Sequence, residues 1–502
     1  MKSRQLPCRL FSVFRLLSRS PIQPQRQEPA QLFFTPYSDK ILKALRDYPN
    51  LYFWQAMTKF ESFRELADSW KNNTSSAIIY ASGDDKVILT YHNLYEQITE
   101  ASSSAEVIRT DHSPRTVIRI FADVIGGNDI LLIDENTSQS TEEQIRKSFL
   151  PLLKNRQACE SGASACESPK NPGQDTGKSN EGRILFFTSG TTSRSRAVVL
   201  TTKALLLSTW GGQSMLECGK RDIILSILPL SHVFGFVCGM LWGLCYGSRT
   251  ALGRGRHHLI DDCRYFRPTV LAVVPSMADL LLQMDALNRD LKTILIGAAA
   301  PSKETLQTLQ LRGLQVYTGY GLTETASGLA IAQDMSDPLG LHICPGADLR
   351  VSPDGEISVK TEALMEGYLD PSDGSLNLPL ENGRFMTGDL GRIDERGVLR
   401  LTGRKKDILV LPDGSKISCP EYESLLAEEV GSDDLCVILV SGRPALLYSD
   451  RISKAAMETA VTSLNRRYPR SRQIVKLIPR EGKLPRTGTG KIMRWVLEKE
   501  TS

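Results

Sequence analysis

The protein has 502 residues, of which 41% are hydrophobic and 24% are charged, a combination typical of a soluble globular chain of two or three domains. The net charge is only +4, from 61 Lys and Arg against 57 Asp and Glu, and the central chain has no dense basic stripe, which argues against a nucleic-acid partner. Ten cysteines are scattered singly, without the spacing of a disulfide framework or a zinc site, and therefore favour a reducing compartment such as the cytoplasm.

The first 29 residues form a basic N-terminal segment. They contain several arginines and Lys2 but no acidic residue before Glu28, and Leu, Phe and Val lie among the basic residues. An organelle transit peptide, a basic helix in peripheral contact with a membrane surface, and a plain basic tail all fit this composition. The C-terminal residues Lys499 to Ser502 carry no peroxisomal address.

Residues 30–150 are predicted to have mixed α/β structure. Apolar and β-branched runs predict strands at Ser76–Tyr80, Val87–Tyr91, Thr116–Phe121 and Asp129–Ile133. The next segment, residues 154–183, is polar and rich in Gly, Pro, Ser and Asn, which is typical of a flexible insert.

A regular alternation of short β-rich runs and helix-length segments follows the insert. The predicted strands are Ile184–Thr188, Ile223–Leu228, Thr250–Leu252, Thr269–Val274, Thr293–Ile296 and Gln315–Tyr317, with helices at Ser276–Met284 and Lys303–Leu311. Such alternation predicts a parallel, doubly wound sheet. Ligands of these sheets bind beyond the carboxyl ends of the strands, and the segments after these runs are small, polar or rich in Gly and Pro.

The segment Ile223 to Gly247 contains no Asp, Glu, Lys or Arg over 25 residues and is long enough to cross a bilayer. However, Pro229 and the pair Ser231 and His232 divide it into a strand-like half and a helix-like half. We therefore expect a strand, a turn and a buried helix here.

The last part of the chain is predicted to contain an antiparallel region, Val351 to Leu401, and then a small α/β unit. A candidate hinge lies at Gly403 to Asp407 between them. The predicted elements beyond it are a helix at Cys419–Glu429, a strand at Leu435–Val440 and a helix near Lys454–Arg466. The predicted fold is thus α/β: a large domain, residues 30–403, with doubly wound mixed and parallel sheets and a small antiparallel region, followed by a small C-terminal α/β domain, residues 404–502.

Three stretches carry groups suited to binding a nucleotide. The loop from Thr188 to Ser193 offers backbone N–H groups and hydroxyls that can hold an oxyanion, although it lacks the Gly-Lys-Ser/Thr of a Walker loop. Gly319 to Glu324 supplies an aromatic ring, a hydroxyl and a hard carboxylate that can bind magnesium. Asp389 can accept hydrogen bonds from a ribose diol, and Arg404 can donate to phosphate or sugar oxygens. Each stretch by itself is also compatible with an ordinary turn.

The order of these pieces along the chain is more specific than any one of them. FFTSGTT, PLSHVFG, GAAAP, YGLTE, GRFMTGDLGRID, GVLRLTGRKKD and LPRTGTGKIMR closely resemble, in sequence order, the motifs of the AMP-forming acyl-CoA synthetases, between Ile184 and Arg494. The upstream Leu89 to Leu94 resembles the family's early L-T-Y-x-x-L element.

The resemblance implies a reaction in two steps, with ATP, magnesium and coenzyme A as cofactors. A carboxylate attacks the α-phosphate of ATP, which releases pyrophosphate, and a thiol then attacks the acyl-adenylate and releases AMP. Catalysis of the first step is mostly positioning and charge neutralisation, which fits candidates that are donors, cations and a carboxylate.

The resemblance also implies roles for individual residues. Thr188, Ser189, Gly190, Thr191 and Thr192 would hold the outer phosphates. Nucleotide-binding residues would further include Gly297, Ala298, Ala299, Tyr320 against adenine, Gly321, Thr323 at the α-phosphate, and Asp389 and Arg404 at the ribose. His232, Thr323, Glu324 and Lys491 are the expected catalytic residues; Glu324 would coordinate magnesium, and Lys491 would bridge the carboxylate and the α-phosphate. Lys406 lies where the family's hinge is expected, about which the C-terminal domain would rotate between the two steps.

Two departures from the family pattern bear on activity and substrate. Ser193, Arg194, Ser195, Arg196 and Ala197 replace the usual Gly-x-Pro-Lys-Gly, so two glycines and a proline are lost while Arg196 keeps a positive charge.

At Val233 amino-acid-activating relatives normally carry an aspartate, and an apolar residue there would leave an ammonium group unpaired. The residues after the hinge resemble those of the long-chain fatty-acid ligases. We therefore expect a small-molecule carboxylic acid, apolar and fatty, as substrate and coenzyme A as acceptor. Loading of an acyl carrier protein and a non-catalytic nucleotide-binding role are the alternatives.

Overall fold

The computed structural model describes residues 58–83, 85–104, 106–160, 180–188, 196–486 and 492–501. The chain divides into two units, Met1–Thr58 and Lys59–Ser502, and all the elements below belong to the second. The predicted basic segment, most of the predicted insert, the phosphate-binding positions Ser189 to Thr192, and Lys491 lie outside the described residues.

Strands make up most of the regular structure. They are β1 (Ser76–Ser82), β2 (Asp85–Thr90), β3 (Glu106–Thr110), β4 (Ile130–Asp134), β5 (Ile184–Phe187), β6 (Ala197–Leu200), β7 (Ile223–Ser226), β8 (Arg249–Leu252), β9 (Val270–Val273), β10 (Thr293–Ile296), β11 (Gln315–Leu322), β12 (Ser327–Ala332), β13 (Leu341–Ile343), β14 (Ala347–Val351), β15 (Glu356–Thr361), β16 (Gly367–Leu369), β17 (Leu376–Asn377), β18 (Leu380–Glu381), β19 (Arg384–Ile393), β20 (Leu399–Arg404), β21 (Ile408–Val410), β22 (Lys416–Ser418), β23 (Leu435–Val440), β24 (Arg443–Ser449) and β25 (Lys476–Arg480).

The α-helices are α1 (Phe63–Asp68), α2 (Tyr91–Glu100), α3 (Pro114–Ile125), α4 (Gln139–Glu160), α5 (Thr202–Gln213), α6 (Trp242–Tyr246), α7 (Leu259–Phe266), α8 (Pro275–Gln283), α9 (Lys303–Leu311), α10 (Cys419–Val430), α11 (Lys454–Asn465) and α12 (Arg494–Thr501). A π-helix covers Gly235–Leu241, and single 3₁₀ turns cover Arg256–His258, Thr323–Thr325, Lys405–Asp407 and Arg470–Arg472.

The largest sheet joins a parallel part to an antiparallel part. Its order is β14-β15-β19-β20-β13-β12-β11-β10-β9-β7-β8-β1-β2, with β18 added beside β19. From β11 to β1 the neighbouring strands are parallel, and helices connect several of them. Beyond β11 the sheet is antiparallel. The predicted doubly wound and antiparallel regions are therefore both confirmed, and they form one continuous sheet.

A second sheet has the order β17-β16-β6-β5-β4-β3. Its strands β3, β4 and β5 are parallel, and β5, β6, β16 and β17 are antiparallel. The first β-rich run, starting at Ile184, thus belongs to a different sheet from the five runs that follow it along the chain.

The predicted strand at Thr116–Phe121 is wrong, because these residues lie in helix α3. Ser113 caps the helix by accepting a hydrogen bond from the Thr116 backbone N–H, and Pro114 occupies its first turn. Val117, Ile120 and Phe121 are fully buried, which is the spacing of one helical face. The true strand of this region, β3, was not predicted.

The charge-free segment after Ile223 is divided as predicted. Strand β7 is followed by a turn and then by the π-helix and α6, whose apolar side chains pack in the main hydrophobic core. Gly235 is required where the chain turns, because a side chain there would collide with the carbonyl of Pro229. Within the part of the chain that the structure describes, no helix is long and apolar enough to span a bilayer.

The C-terminal residues form a small α/β arrangement of their own. Strands β23, β24 and β25 form a three-stranded sheet, and helices α10 and α11 bury their apolar faces with it in a separate core. The predicted helices and strand of this region are confirmed. The domain boundary at residue 404 stays a prediction.

Candidate active site

The last residues of the parallel sheet meet the antiparallel strands in a cluster of the buried Tyr320 and Asp389 with the partly exposed Arg404. The Tyr320 hydroxyl donates to Asp389 Oδ2 at 3.0 Å, and Arg404 Nε lies 2.7 Å from Asp389 Oδ1. Asp389 on β19 pairs directly with Arg404 on β20, so the strand register brings the two charges together. Both carboxylate oxygens therefore have a donor, and Arg404 is 35% exposed.

The surroundings of this cluster keep Tyr320 protonated. Its side chain is 7% exposed, and burial together with the Asp389 charge raises the pKa of Tyr320 well above its usual value of 10. The ring therefore offers an apolar face, and its hydroxyl stays a donor.

Glu356, which the sequence analysis did not identify, binds residues next to Asp389 and Arg404 in the chain. It is buried, and its carboxylate accepts from the Gly388 backbone N–H at 3.1 Å and from Lys405 Nζ at 2.6 Å. These donors are the chain neighbours of Asp389 and Arg404, so Glu356 ties β19 to the residue that follows β20. The hydrogen bond to Glu356, and a further one to Asp354, raise the pKa of Lys405.

The turn after β11 presents Thr323 and Glu324. A bulge at Tyr320 and Gly321 brings the chain so close to Ser327 that a side chain at Gly321 would collide with the Ser327 carbonyl. The 3₁₀ turn Thr323–Thr325 follows, and Ala326 then adopts φ 53°, in the left-handed region. This tight turn fixes the backbone of Thr323 and Glu324, which follow Tyr320 by three and four residues.

Tyr368 on β16 is a second residue that the sequence analysis missed. Its hydroxyl donates to Glu324 Oε1 at 2.7 Å, and the Arg196 guanidinium carbon lies 4.8 Å from its ring centroid. Arg196 also closes the base of the predicted phosphate loop: the Thr188 N–H donates to the Arg196 carbonyl at 3.0 Å, and the Arg196 N–H donates to Thr188 Oγ1 at 3.3 Å.

The loops after β7 and β10 lie against each other. The ring of Phe234 packs on the Gly297 backbone so tightly that a side chain at 297 would meet the ring. The following Ala298 has φ 67° and, like Ala299, is exposed. Burial lowers the pKa of His232 below its usual 6.5, and the Asp134 charge opposes this shift.

Lys406 follows the Arg404 side of the cluster. Burial and the nearby positive charge of Arg404 lower the pKa of Lys406. The next residue, Asp407, pairs with Arg494 at 2.8 Å, and Arg494 also pairs with Glu423 at 2.6 Å. The predicted hinge is therefore followed at once by an ion-pair network of the C-terminal residues.

Comparison with known proteins identifies the family of the chain. Residues 67–369, more than half of the chain, match the family described as AMP-binding enzyme. The chain belongs to the AMP-binding enzyme family. The resemblance to this superfamily, drawn from the sequence motifs, is confirmed.

Relatives of the AMP-binding enzyme family include two curated ligases. The medium-chain fatty-acid–CoA ligase of Escherichia coli strain K12 is 28% identical over 349 residues, which are 63% of this chain and 60% of the relative. The 2-succinylbenzoate–CoA ligase of Staphylococcus aureus strain bovine RF122 / ET3-1 is 29% identical over 333 residues, which are 62% of this chain and 65% of the relative. The matched region thus spans less than two thirds of the length of these two relatives.

A solved structure of the same fold is that of the o-succinylbenzoate CoA synthetase from Bacillus subtilis in complex with an acyl-adenylate intermediate. It superposes with a TM-score of 0.70 at 19% identity, and the match covers 88% of this chain and 98% of that one. The α/β architecture of the two proteins is therefore shared.

The magnesium ion that the AMP-binding enzyme family implies would find one suitable ligand in Glu324. Among the described residues no group of three or more His, Cys, Asp or Glu side chains could form a complete metal site. Magnesium in nucleotide sites is commonly held by one or two carboxylates and completed by phosphates and water. A single carboxylate, oriented by the Tyr368 hydroxyl, fits that mode of binding.

Proposed function

We propose that the protein is an ATP-dependent acid–thiol ligase that activates an apolar carboxylic acid as an acyl-adenylate and transfers the acyl group to coenzyme A. The observation that carries this proposal is the hydrogen-bonded set of Tyr320, Asp389 and Arg404. Glu324 lies in the turn that follows β11, and the Tyr368 hydroxyl orients its carboxylate. An aromatic face, a carboxylate, an arginine fork and a second carboxylate are the groups required to hold adenine, ribose and a metal-bound phosphate.

The first half-reaction follows from these positions. Tyr320 would stack against adenine, and Asp389 would accept from the ribose hydroxyls while Arg404 orients that carboxylate. Thr323 would donate to the α-phosphate, and Glu324 would hold a magnesium ion, whose charge would neutralise that of the phosphates. Lys491 supplies the further cation that brings the acid carboxylate and the α-phosphate together. The protein thereby positions the reactants and neutralises charge rather than providing a nucleophile.

The surroundings of the site favour an apolar acid. Val233 is buried in the main core, and the partly exposed Phe234 ring covers the Gly297 backbone, so neither of these described residues offers a group to hold an ammonium ion. A relative that acts on fatty acids supports a fatty chain, and one that acts on 2-succinylbenzoate supports an aryl acid as the competing substrate.

The second half-reaction requires a rearrangement at the hinge. Lys406 lies between the ribose cluster and the C-terminal ion pairs of Asp407, so rotation there would exchange the C-terminal face that closes the site. The acceptor we propose is coenzyme A, and a carrier-protein phosphopantetheine presents the same thiol chemistry.

The proposal is tested by pyrophosphate release from ATP with a panel of acids, namely acetate, octanoate, palmitate and benzoate. We expect release with octanoate or palmitate and none without acid, and we expect Lys491→Ala to abolish release while ATP binding persists. If ATP binds and no acid supports release, the protein is a non-catalytic nucleotide-binding relative. Release with benzoate alone would replace the fatty substrate by an aryl one.

A further inference from the structure

We propose that Tyr368 is a positioning residue that holds the Glu324 carboxylate through its hydroxyl and the Arg196 guanidinium on its ring, and so sets the affinity of the site for magnesium–ATP. The inference rests on the nucleotide-binding role proposed above for Glu324. It assigns a function to a residue outside the motifs that carry the family resemblance.

The strand register explains why Arg196 reaches the ring. Strand β16 pairs antiparallel with β6, and Tyr368 lies opposite Val198. Arg196 precedes Val198 by two residues, so the two side chains share one face of the strand, and Arg196 is a diagonal neighbour of Tyr368. The Arg196 backbone is fixed in turn by its two hydrogen bonds with Thr188 at the start of the predicted phosphate loop.

Glu324 is fixed twice by the segment that carries Tyr368. The Met365 backbone N–H donates to the Glu324 carbonyl at 2.8 Å, and the Tyr368 hydroxyl donates to Glu324 Oε1 at 2.7 Å. The first bond places the backbone and the second sets the direction of the carboxylate. A carboxylate oxygen has more than one acceptor site, so an oriented Glu324 can still bind a cation.

The tyrosine also keeps two opposite charges apart. Arg196 lies over the Tyr368 ring, and no ion pair joins these described residues Arg196 and Glu324. An arginine bound directly to Glu324 would compete with magnesium for the carboxylate.

The test uses Tyr368→Phe, which removes the hydroxyl and keeps the ring. The chain offers a matched control: Tyr468 donates to Glu421 Oε1 at the same 2.7 Å, far along the chain in the C-terminal region. ATP binding is measured by calorimetry with and without magnesium for the wild type, Tyr368→Phe, Tyr468→Phe and Tyr368→Leu, with thermal unfolding of each.

We expect Tyr368→Phe to weaken magnesium–ATP binding about tenfold, since a hydrogen bond to a charged group contributes roughly that factor. Binding of ATP without magnesium should not change, and Tyr468→Phe should bind as the wild type does. Tyr368→Leu should weaken binding in both conditions, because it also releases Arg196.

Three results would overturn the proposal: unchanged magnesium–ATP affinity in Tyr368→Phe, equal weakening with and without magnesium in that variant, or identical behaviour of Tyr368→Leu and Tyr368→Phe. If the wild type itself binds no ATP, the proposed function fails first, and the two failures are thereby distinguished.

Discussion

Replacing Asp389 by asparagine tests the ribose site at its centre. The substitution preserves shape but removes the charge that pairs with Arg404 at 2.7 Å and the second acceptor that Tyr320 uses at 3.0 Å. Hydrogen bonds to charged groups contribute about 1.5–3 kcal/mol each. Because Arg404 is 35% exposed, solvent screens part of this interaction, and we expect the free energy of unfolding to fall by roughly 2 kcal/mol.

The same substitution should weaken ATP binding by about 10- to 100-fold, roughly 1.4–2.8 kcal/mol, because the ribose hydroxyls lose a charged acceptor. The matched control is Asp129→Asn. Asp129 and Asp389 are both 4% exposed, and Asp129 pairs with Arg183 at 2.6 Å. That variant should lose at least as much stability, measured by chemical denaturation, but keep wild-type ATP affinity by calorimetry. Equal ATP affinities of Asp389→Asn and the wild type would refute the ribose assignment.

Three further substitutions address the proposed metal ligand Glu324, the partly buried His232 and the proposed hinge residue Lys406. Glu324→Gln keeps the size of the side chain but removes its charge, and the rate of pyrophosphate release should fall about 100-fold, as for loss of one group that neutralises developing charge. An unchanged rate over a magnesium titration would contradict the proposed role of Glu324 as a magnesium ligand. Burial lowers the pKa of His232 in the folded state, so the unfolded chain binds the proton more readily, and the free energy of unfolding falls as the pH drops below 6.5. His232→Gln should reduce this loss of stability at low pH, measured by denaturation over a range of pH. A variant with the wild-type pH profile would show that the histidine is not responsible. Lys406→Pro fixes one backbone angle at the proposed hinge, so thioester formation should slow at least tenfold while pyrophosphate release is unchanged, and equal slowing of both steps would argue against a hinge.

Much of the fold could be predicted because its strands are short apolar runs bounded by polar turns. The five parallel strands from Ile223 to Tyr317 are of this kind; β7, β8, β9 and β10 are buried on both faces, whereas β11 alternates between buried and more exposed residues. The same signal failed at Thr116–Phe121, because a short apolar run does not separate a strand from a buried helical face. There the cap at Ser113 and Pro114 was the informative feature, and it lies outside the run itself.

The residues of the candidate site, too, could be predicted only in part from the sequence. Tyr320, Asp389 and Arg404 are far apart in sequence, but each lies in one of the motifs that resemble the family, so a shared site could be expected from that resemblance. Tyr368 and Glu356 could not be found in that way. Their roles depend on the pairing of β16 with β6 and on the approach of Lys405 to β15, which are long-range features without a local sequence signal.

The most direct test of the central claim is mass spectrometry of the species that the protein forms from ATP, magnesium and a mixed pool of fatty and aryl acids, before and after coenzyme A is added. We expect an acyl-adenylate of a fatty acid, which is converted to its coenzyme A thioester, and we expect no adenylate with Lys491→Ala. An ATP-bound protein that yields neither adenylate nor thioester from any acid of the pool would contradict it.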